Sequence, residues 1–316
     1  MTHFADRLQD RIDRLGNPTV MGLDPQPALV PPDILDAALA SSPDPRLGLA
    51  RAYREWNRLL IRSVSDVIPA VKPQVAYYEL LGAPGMEVLE DTIAMARDAG
   101  MLVIADGKRN DIGSTAEAYA AAFLGGMTLP DGRRIEGLRA DAVTLNAYLG
   151  SDGIRPFLEA GRANGAGVFV LVRTSNPGAS EFQDLRDGQG IPLYARIAEQ
   201  VDAWGADWVG ESGLSAVGAV VGATWPSEAR LLRGQMPRAI FLVPGYGAQG
   251  AGADDAVAGF REDGRGGLVN ASRSLMGAWR KAGPEIHPVD AVRREALRMR
   301  DDLSQALDRC CPGRSR

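Results

Sequence analysis

The sequence predicts a single (β/α)8 TIM barrel of the α/β class. Three observations carry that expectation. Short apolar runs recur along the 316 residues, and amphipathic helical patterns lie between them. The runs are apolar at consecutive positions rather than alternating ones, as in parallel strands covered on both faces. No Gly-x-Gly-x-x-Gly follows the first run. The open doubly wound sheet, which shares the same alternation, is therefore the poorer fit.

Taken in order, Thr19–Leu23 is the first run. Leu49, Tyr53, Trp56, Leu60 and Val64 then recur at three-and-four spacing, which predicts a helix with one buried stripe. Ala70–Val75 follows, then a second helical stripe of Met86, Leu89, Ile93 and Ala96. Leu102–Ala105 is the third run. Residues Gly125–Gly137 are polar and turn-rich and read as a surface loop. Ala142–Leu145 and Gly167–Val172 come next, then a stripe of Leu193, Ile197, Val201 and Trp204. Val217–Gly222, Ala239–Val243 and Gly267–Val269 complete the strands, and Leu275–Trp279 closes the last unit. Beyond it, Val289, Val292, Ala296, Met299, Leu303 and Leu307 predict one more helix on the barrel exterior. The end, Cys310–Arg316, is expected to fray. The organisation expected is a barrel over residues 1–283 and a helical extension over 284–316, with no linker long enough to divide two domains.

Composition narrows the chemistry. Lys and Arg total 35 against 40 Asp and Glu, a formal charge of −5. A general nucleic-acid binder would carry a basic surface instead. The two His are His3 and His287, and the two Cys are the adjacent Cys310 and Cys311. All four lie near the ends of the chain. That argues against Ser-His-Asp or Cys-His nucleophilic chemistry and against a His-rich metal site. Acid–base work would fall to Lys, Asp, Glu or Tyr. The opening residues are charged throughout, unlike a signal peptide, and no apolar run approaches the roughly 18 residues of a membrane span. The expectation is a soluble, cytoplasmic protein.

In a barrel, functional side chains stand at the carboxyl ends of strands. Asp24 ends the first run and Lys72 interrupts the second. Asp106, Lys108 and Asp111 crowd the end of the third. A Lys between two carboxylates is held charged and oriented, and can deliver a proton. Standing alone, such a run is equally a solvated turn; its place directly after a buried strand favours a site. Lys72 has little room to reach water from within a parallel strand, so Asp106 or Asp24 is its natural partner. Gly245, Gly247, Gly250 and Gly252 follow the seventh run and could turn backbone amides toward an anion. Arg273 follows the eighth and could clamp a phosphate. Together they match the phosphate site common after strands seven and eight. Thr174, Ser175 and Asn176 follow the fifth run with short polar groups able to bond a base edge.

These segments resemble the orotidine 5′-monophosphate decarboxylase family, in its longer, mycobacterial-like branch. The likeness runs through Gly22–Pro25, Val71–Gln74, Asp106–Ile112 with Thr115, Thr144–Asn146, Thr174–Gly178, Val220–Thr224, Val243–Gln249 and Asn270–Arg273. It implies a cofactor-free enzyme without a metal, converting orotidine 5′-monophosphate to uridine 5′-monophosphate in pyrimidine synthesis. By the resemblance, Asp24 and Lys72 meet the ribose hydroxyls, Asp106 lies near the substrate carboxylate and Lys108 protonates C6. Ser175 meets the pyrimidine edge, and Gln249 and Arg273 hold the phosphate. Asp111 and Thr115 are implied to serve the partner's site in a homodimer. Shorter members often carry His where this chain has Asn146. Two other readings stay open. One is a magnesium-dependent sugar-phosphate decarboxylase on the same barrel, although Lys72 stands where its metal-binding carboxylate would be. The other is an inactive nucleotide-binding barrel, which the intact Asp106, Lys108 and Asp111 set opposes.

Overall fold

Consecutive buried apolar residues have no solvent face to offer, so each run must pair on both sides. In the computed structural model, which describes residues 2–247 and 250–311, they do so by closing a ring. The strands are β1 (Thr19–Leu23), β2 (Ala70–Pro73), β3 (Leu102–Arg109), β4 (Ala142–Leu145), β5 (Gly167–Arg173), β6 (Ser215–Val221), β7 (Ala239–Val243) and β8 (Gly267–Ala271). Each pairs in parallel with its sequence neighbour, and β8 returns to β1 through Thr19↔Val269 and Val20↔Asn270. Every residue of β1, β2, β4, β6 and β7 is buried.

The helical stripes pack as their spacing requires. The helix Pro45–Val64 buries Tyr53, Trp56, Leu60 and Val64, and Asp44 caps it by accepting from the Arg46 amide at 2.8 Å. The C-terminal helix Pro288–Cys310 buries Val292, Ala296, Met299, Leu303, Ala306 and Leu307. It lies against Pro45–Val64, and Arg293 reaches both oxygens of Asp66 at 2.6 and 2.7 Å. Of the end expected to fray, Cys310–Arg316, Cys310 closes this helix and Cys311 is buried, so the expectation fails for those two; residues 312–316 lie outside the described residues. Among the described residues, no helix is long and apolar enough to cross a membrane.

The amino end of the barrel is closed by a helix, Phe4–Leu15, that the periodic reading passed over because charges surround its apolar stripe of Phe4, Leu8 and Ile12. Arg7 bonds Asp141 and the Gly165 carbonyl, and Asp6 accepts from the amides of Glu211 and Ser212. Those groups sit just before β4, β5 and β6. Phe4 presses over Gly167, where an added Cβ would lie 2.3 Å from its ring.

Several expected boundaries move. Residues 125–137 are not only a loop: Gly126–Thr128 and Arg134–Glu136 form an antiparallel hairpin. Its strands are three residues long and leave Met127 and Ile135 exposed, so they carry no burial pattern to read. β2 ends at Pro73, and Val75 already has helical backbone angles. β6 begins at Ser215 and β8 runs on to Ala271. The expected segment Leu275–Trp279 divides into a turn of α-helix, Arg273–Met276, and a 3-10 turn, Ala278–Lys281. The largest correction is β3, which continues through its charged residues to Arg109 instead of stopping at Ala105.

Candidate active site

That extension builds the centre of the site. β3 and β4 pair at Ala105↔Val143 and again at Arg109↔Leu145. Asp106, Gly107 and Lys108 therefore stand opposite one residue, Thr144. Such a bulge bends the strand and re-aims its side chains. Lys108 accordingly adopts φ 46°, in the left-handed region. Thr144 repairs the ladder. Its hydroxyl oxygen accepts from the Lys108 amide at 2.9 Å and its O–H donates to Asp106 Oδ1 at 2.9 Å.

Asp106 gathers the charges. Its Oδ2 accepts from Lys72 Nζ at 2.5 Å and from Gln74 Nε2 at 3.0 Å, and its Oδ1 accepts from Lys108 Nζ at 2.6 Å. Lys72 and Asp106 are buried, whereas the Lys108 side chain is 45% exposed. Burial pushes the Asp106 carboxyl up, but the Lys72 and Lys108 ammoniums overrule it and hold it well below the usual carboxylate range. Burial likewise opposes the charge on Lys72; Asp106 and then Asp24 outweigh that and raise it above an ordinary ammonium. The pair is thus ionised across the neutral range. Asp24 Oδ1 and Asn270 Oδ1 are buried with no hydrogen-bond partner among the described residues. Acceptors left in that state are expected to take a donor from a ligand.

A cavity of about 470 Å³ opens over this cluster, within the range of small-molecule pockets. Lys72, Asp106, Lys108 and Thr144 line one side, with Leu171, Val220 and Leu242 as an apolar wall. The loop after β5 contributes Ser175, Asn176 and Phe182. Gly222 lets that loop approach, since a Cβ there would lie 2.9 Å from Ser175. The loop is fixed at both ends. The Thr174 amide donates to Gln183 Oε1 at 3.0 Å, and the Trp225 indole N–H donates to the Thr174 carbonyl at 2.9 Å. Arg173, 1% exposed, pairs with Asp184 at 2.8 Å and lies 3.9 Å from the Trp225 ring centroid.

Of the residues expected from the sequence, Lys72, Asp106, Lys108 and Ser175 share this cavity, and Asp24 acts on Lys72 from the end of β1. Asp111 and Thr115 do not line it. Asp111 accepts from the neighbouring Ile112 amide, and Thr115 is exposed on the helix Gly113–Leu124. Arg273 is exposed at the head of its helical turn, outside the cavity lining. Gln249 lies outside the described residues; around it Gly245, Gly247 and Gly250 have φ of 107°, 69° and 90°, values that suit glycine. Asn146 accepts from the Tyr148 amide in a local turn. Thr144, Gln74 and Asn270 fell within the segments that carry the resemblance but were given no role. Apart from the matching segment Thr144–Asn146, the signal for Thr144 was a hydroxyl inside an otherwise apolar run.

The sequence profile of the Orotidine 5′-phosphate decarboxylase / HUMPS family matches residues 46–282. A curated relative from Rhodopirellula baltica, named orotidine 5′-phosphate decarboxylase, is 43% identical over 308 residues, covering 96% of this chain and 99% of that one. One of the same name from Deinococcus radiodurans is 42% identical over 268 residues, covering 84% and 90%. The solved structure of Leishmania donovani OMP decarboxylase superposes with a TM-score of 0.71 at 31% identity, covering 96% of this chain and all of that one. The barrel, its charged centre and these likenesses agree, and the chain belongs to the orotidine 5′-phosphate decarboxylase family.

Proposed function

We propose that the protein decarboxylates orotidine 5′-monophosphate to uridine 5′-monophosphate and carbon dioxide, a step of pyrimidine biosynthesis. The observation that carries this reading is the Lys108 ammonium held at 2.6 Å by a buried, ionised Asp106 on the wall of a cavity. Breaking the bond from C6 to the carboxylate leaves an electron pair on carbon. Lys108 is placed to stabilise that charge and then to supply the proton. Asp106 fixes Lys108 and presents negative charge toward the departing carboxylate. Asp24 and Lys72 take the ribose hydroxyls, Ser175 the pyrimidine edge, and Gln249 with Arg273 the phosphate. Phosphate binding far from the reacting carbon supplies energy for loop closure. No metal or cofactor has a part in this scheme. The active unit is a homodimer in which Asp111 and Thr115 complete the second subunit's site. A cytoplasmic location and the longer, mycobacterial-like branch belong to the same reading, on the sequence grounds given above.

The test is loss of orotidylate ultraviolet absorbance, followed with and without excess chelator. Turnover should persist in chelator. Lys108→Ala should lower kcat at least ~10²–10⁴-fold, the contribution of a positioned acid alone, with folding and uridylate binding kept. Near-normal turnover by the folded variant would remove Lys108 from the mechanism.

A further inference from the structure

The helix Pro288–Cys310 lies outside the eight β/α units, and nothing in the reaction calls for it. It nevertheless touches the loop after β7. The loop after β7 is pinched at its stem, where Tyr246 bridges Ala251 and the Gly247 amide donates to the Ala251 carbonyl at 3.0 Å. Tyr246 is 5% exposed, and its hydroxyl donates to Asp302 Oδ2 on the C-terminal helix at 2.6 Å. Burial, and then Asp302 itself, push this phenol up to about 12, so it stays a donor at neutral pH. A second tie lies just beyond the stem, where Arg309 reaches Asp254 at 2.7 Å. The helix is itself immobilised on the barrel by its buried stripe and by Arg293 on Asp66.

A glycine-rich segment can present its amides to an anion only after losing the conformational freedom that glycine has. Fixing its stem beforehand removes part of that loss from the binding step. We propose that Tyr246 and Asp302 are positioning residues, and that the C-terminal helix is a brace holding the stem of the β7 loop ready for the nucleotide phosphate. This rests on the phosphate assignment made above for that end of the barrel.

The experiment measures dissociation constants of uridine 5′-monophosphate and of uridine, with steady-state kinetics, for wild type, Tyr246→Phe, Asp302→Ala, the double variant and Asp302→Asn. Tyr246→Phe keeps the buried ring, so the fold should survive. Losing a hydrogen bond to a charged group should weaken uridylate binding about tenfold. The KM for orotidylate should rise in step, while uridine binding stays unchanged. The double variant should match the worse single one, because both remove the same bond. Asp302→Asn keeps an acceptor and should recover most of the affinity. Unchanged uridylate binding in Tyr246→Phe, or an equal loss on uridine, would overturn the brace. If wild type itself binds uridine as tightly as uridylate, the phosphate assignment fails first, and the brace with it.

Discussion

Lys108 occupies backbone angles that cost a side-chain-bearing residue roughly 1–2 kcal/mol. The bulge in β3 imposes that conformation, and Thr144 holds it from below while orienting Asp106. Thr144→Val removes both bonds at constant shape. It is expected to lower kcat about 10- to 100-fold, the range for a hydrogen bond to a charged group, with little change in KM. Thr144→Ser should restore most of the rate. A wild-type kcat in the Val variant would show that the restraint lies elsewhere. The Lys72–Asp106 pair makes a separate prediction about stability. The Asp106 pKa is depressed, so its contribution is present above the ordinary carboxyl value of 3.8 and fades as pH falls from there toward its folded value. The Lys72 pKa is raised, so its contribution is full below the ordinary 10.5 and is lost as pH rises through its folded value. Asp106→Asn leaves a buried ammonium with less compensation. It should cost about 3–5 kcal/mol at pH 7 and flatten the acid limb of unfolding free energy against pH, measured by urea titration. An acid limb as steep as wild type would assign that limb to other carboxylates. Lys72 was legible because charge is rare inside a buried run, and Asp106 and Lys108 because they follow one directly, where a barrel builds its site. The role of Thr144 was not, because a lone Thr is ordinary strand composition.

At the scale of elements, the clearest device is the loop after β5. Arg173 leaves a register shift between Leu171 and Arg173 and turns its guanidinium under the loop, between Trp225 and Tyr194, to meet Asp184. Ser175, next but one, inherits its position from that anchor. Asp184 is half exposed but Arg173 is not, so Asp184→Ala leaves a buried guanidinium without its counter-ion and should lower the melting temperature while the fold survives. It should raise the KM for orotidylate several-fold, roughly 2- to 10-fold for a partly screened pair, and leave binding of ribose 5-phosphate unchanged. Equal losses on both ligands would mean that the loop does not serve the base. Element existence was legible for the eight buried runs and for the broader helical stripes, but not for Phe4–Leu15, whose narrow buried stripe is surrounded by charge. Boundaries failed where burial ended before the hydrogen bonds did, as in β3, and where the hairpin had bonds but no burial. The anchor under the loop was illegible for another reason: it joins Arg173 to Asp184 and Trp225, and no local pattern reports such a meeting.

For the whole molecule, periodicity gave eight two-sided strands alternating with helices, and the absence of Gly-x-Gly-x-x-Gly after the first of them favoured the closed barrel over the open sheet. Assembly does not follow from one chain. Asp111 and Lys108 are three residues apart, yet only Lys108 lines the cavity. If Asp111 completes the second subunit's site, Lys108→Ala and Asp111→Ala should complement each other. Mixed dimers would carry both lesions in one site and neither in the other. Random reassortment should leave roughly a quarter of all sites intact. Co-refolding the two inactive variants should therefore restore measurable turnover. Verified mixed dimers that stay inactive would return Asp111 to its own subunit.

Phe4 has a consequence for traffic. Its ring meets Phe169 edge-on at 6.0 Å, and Phe169 in turn fills the gap left by Gly218. Both aromatic residues are at most 1% exposed. The barrel is thereby stoppered at its amino end and works as a blind-ended vessel. Carbon dioxide must leave by the mouth that admitted the nucleotide, past a base still seated there or after the loops have parted. With the far end plugged by aromatic rings, gas and nucleotide share a single doorway.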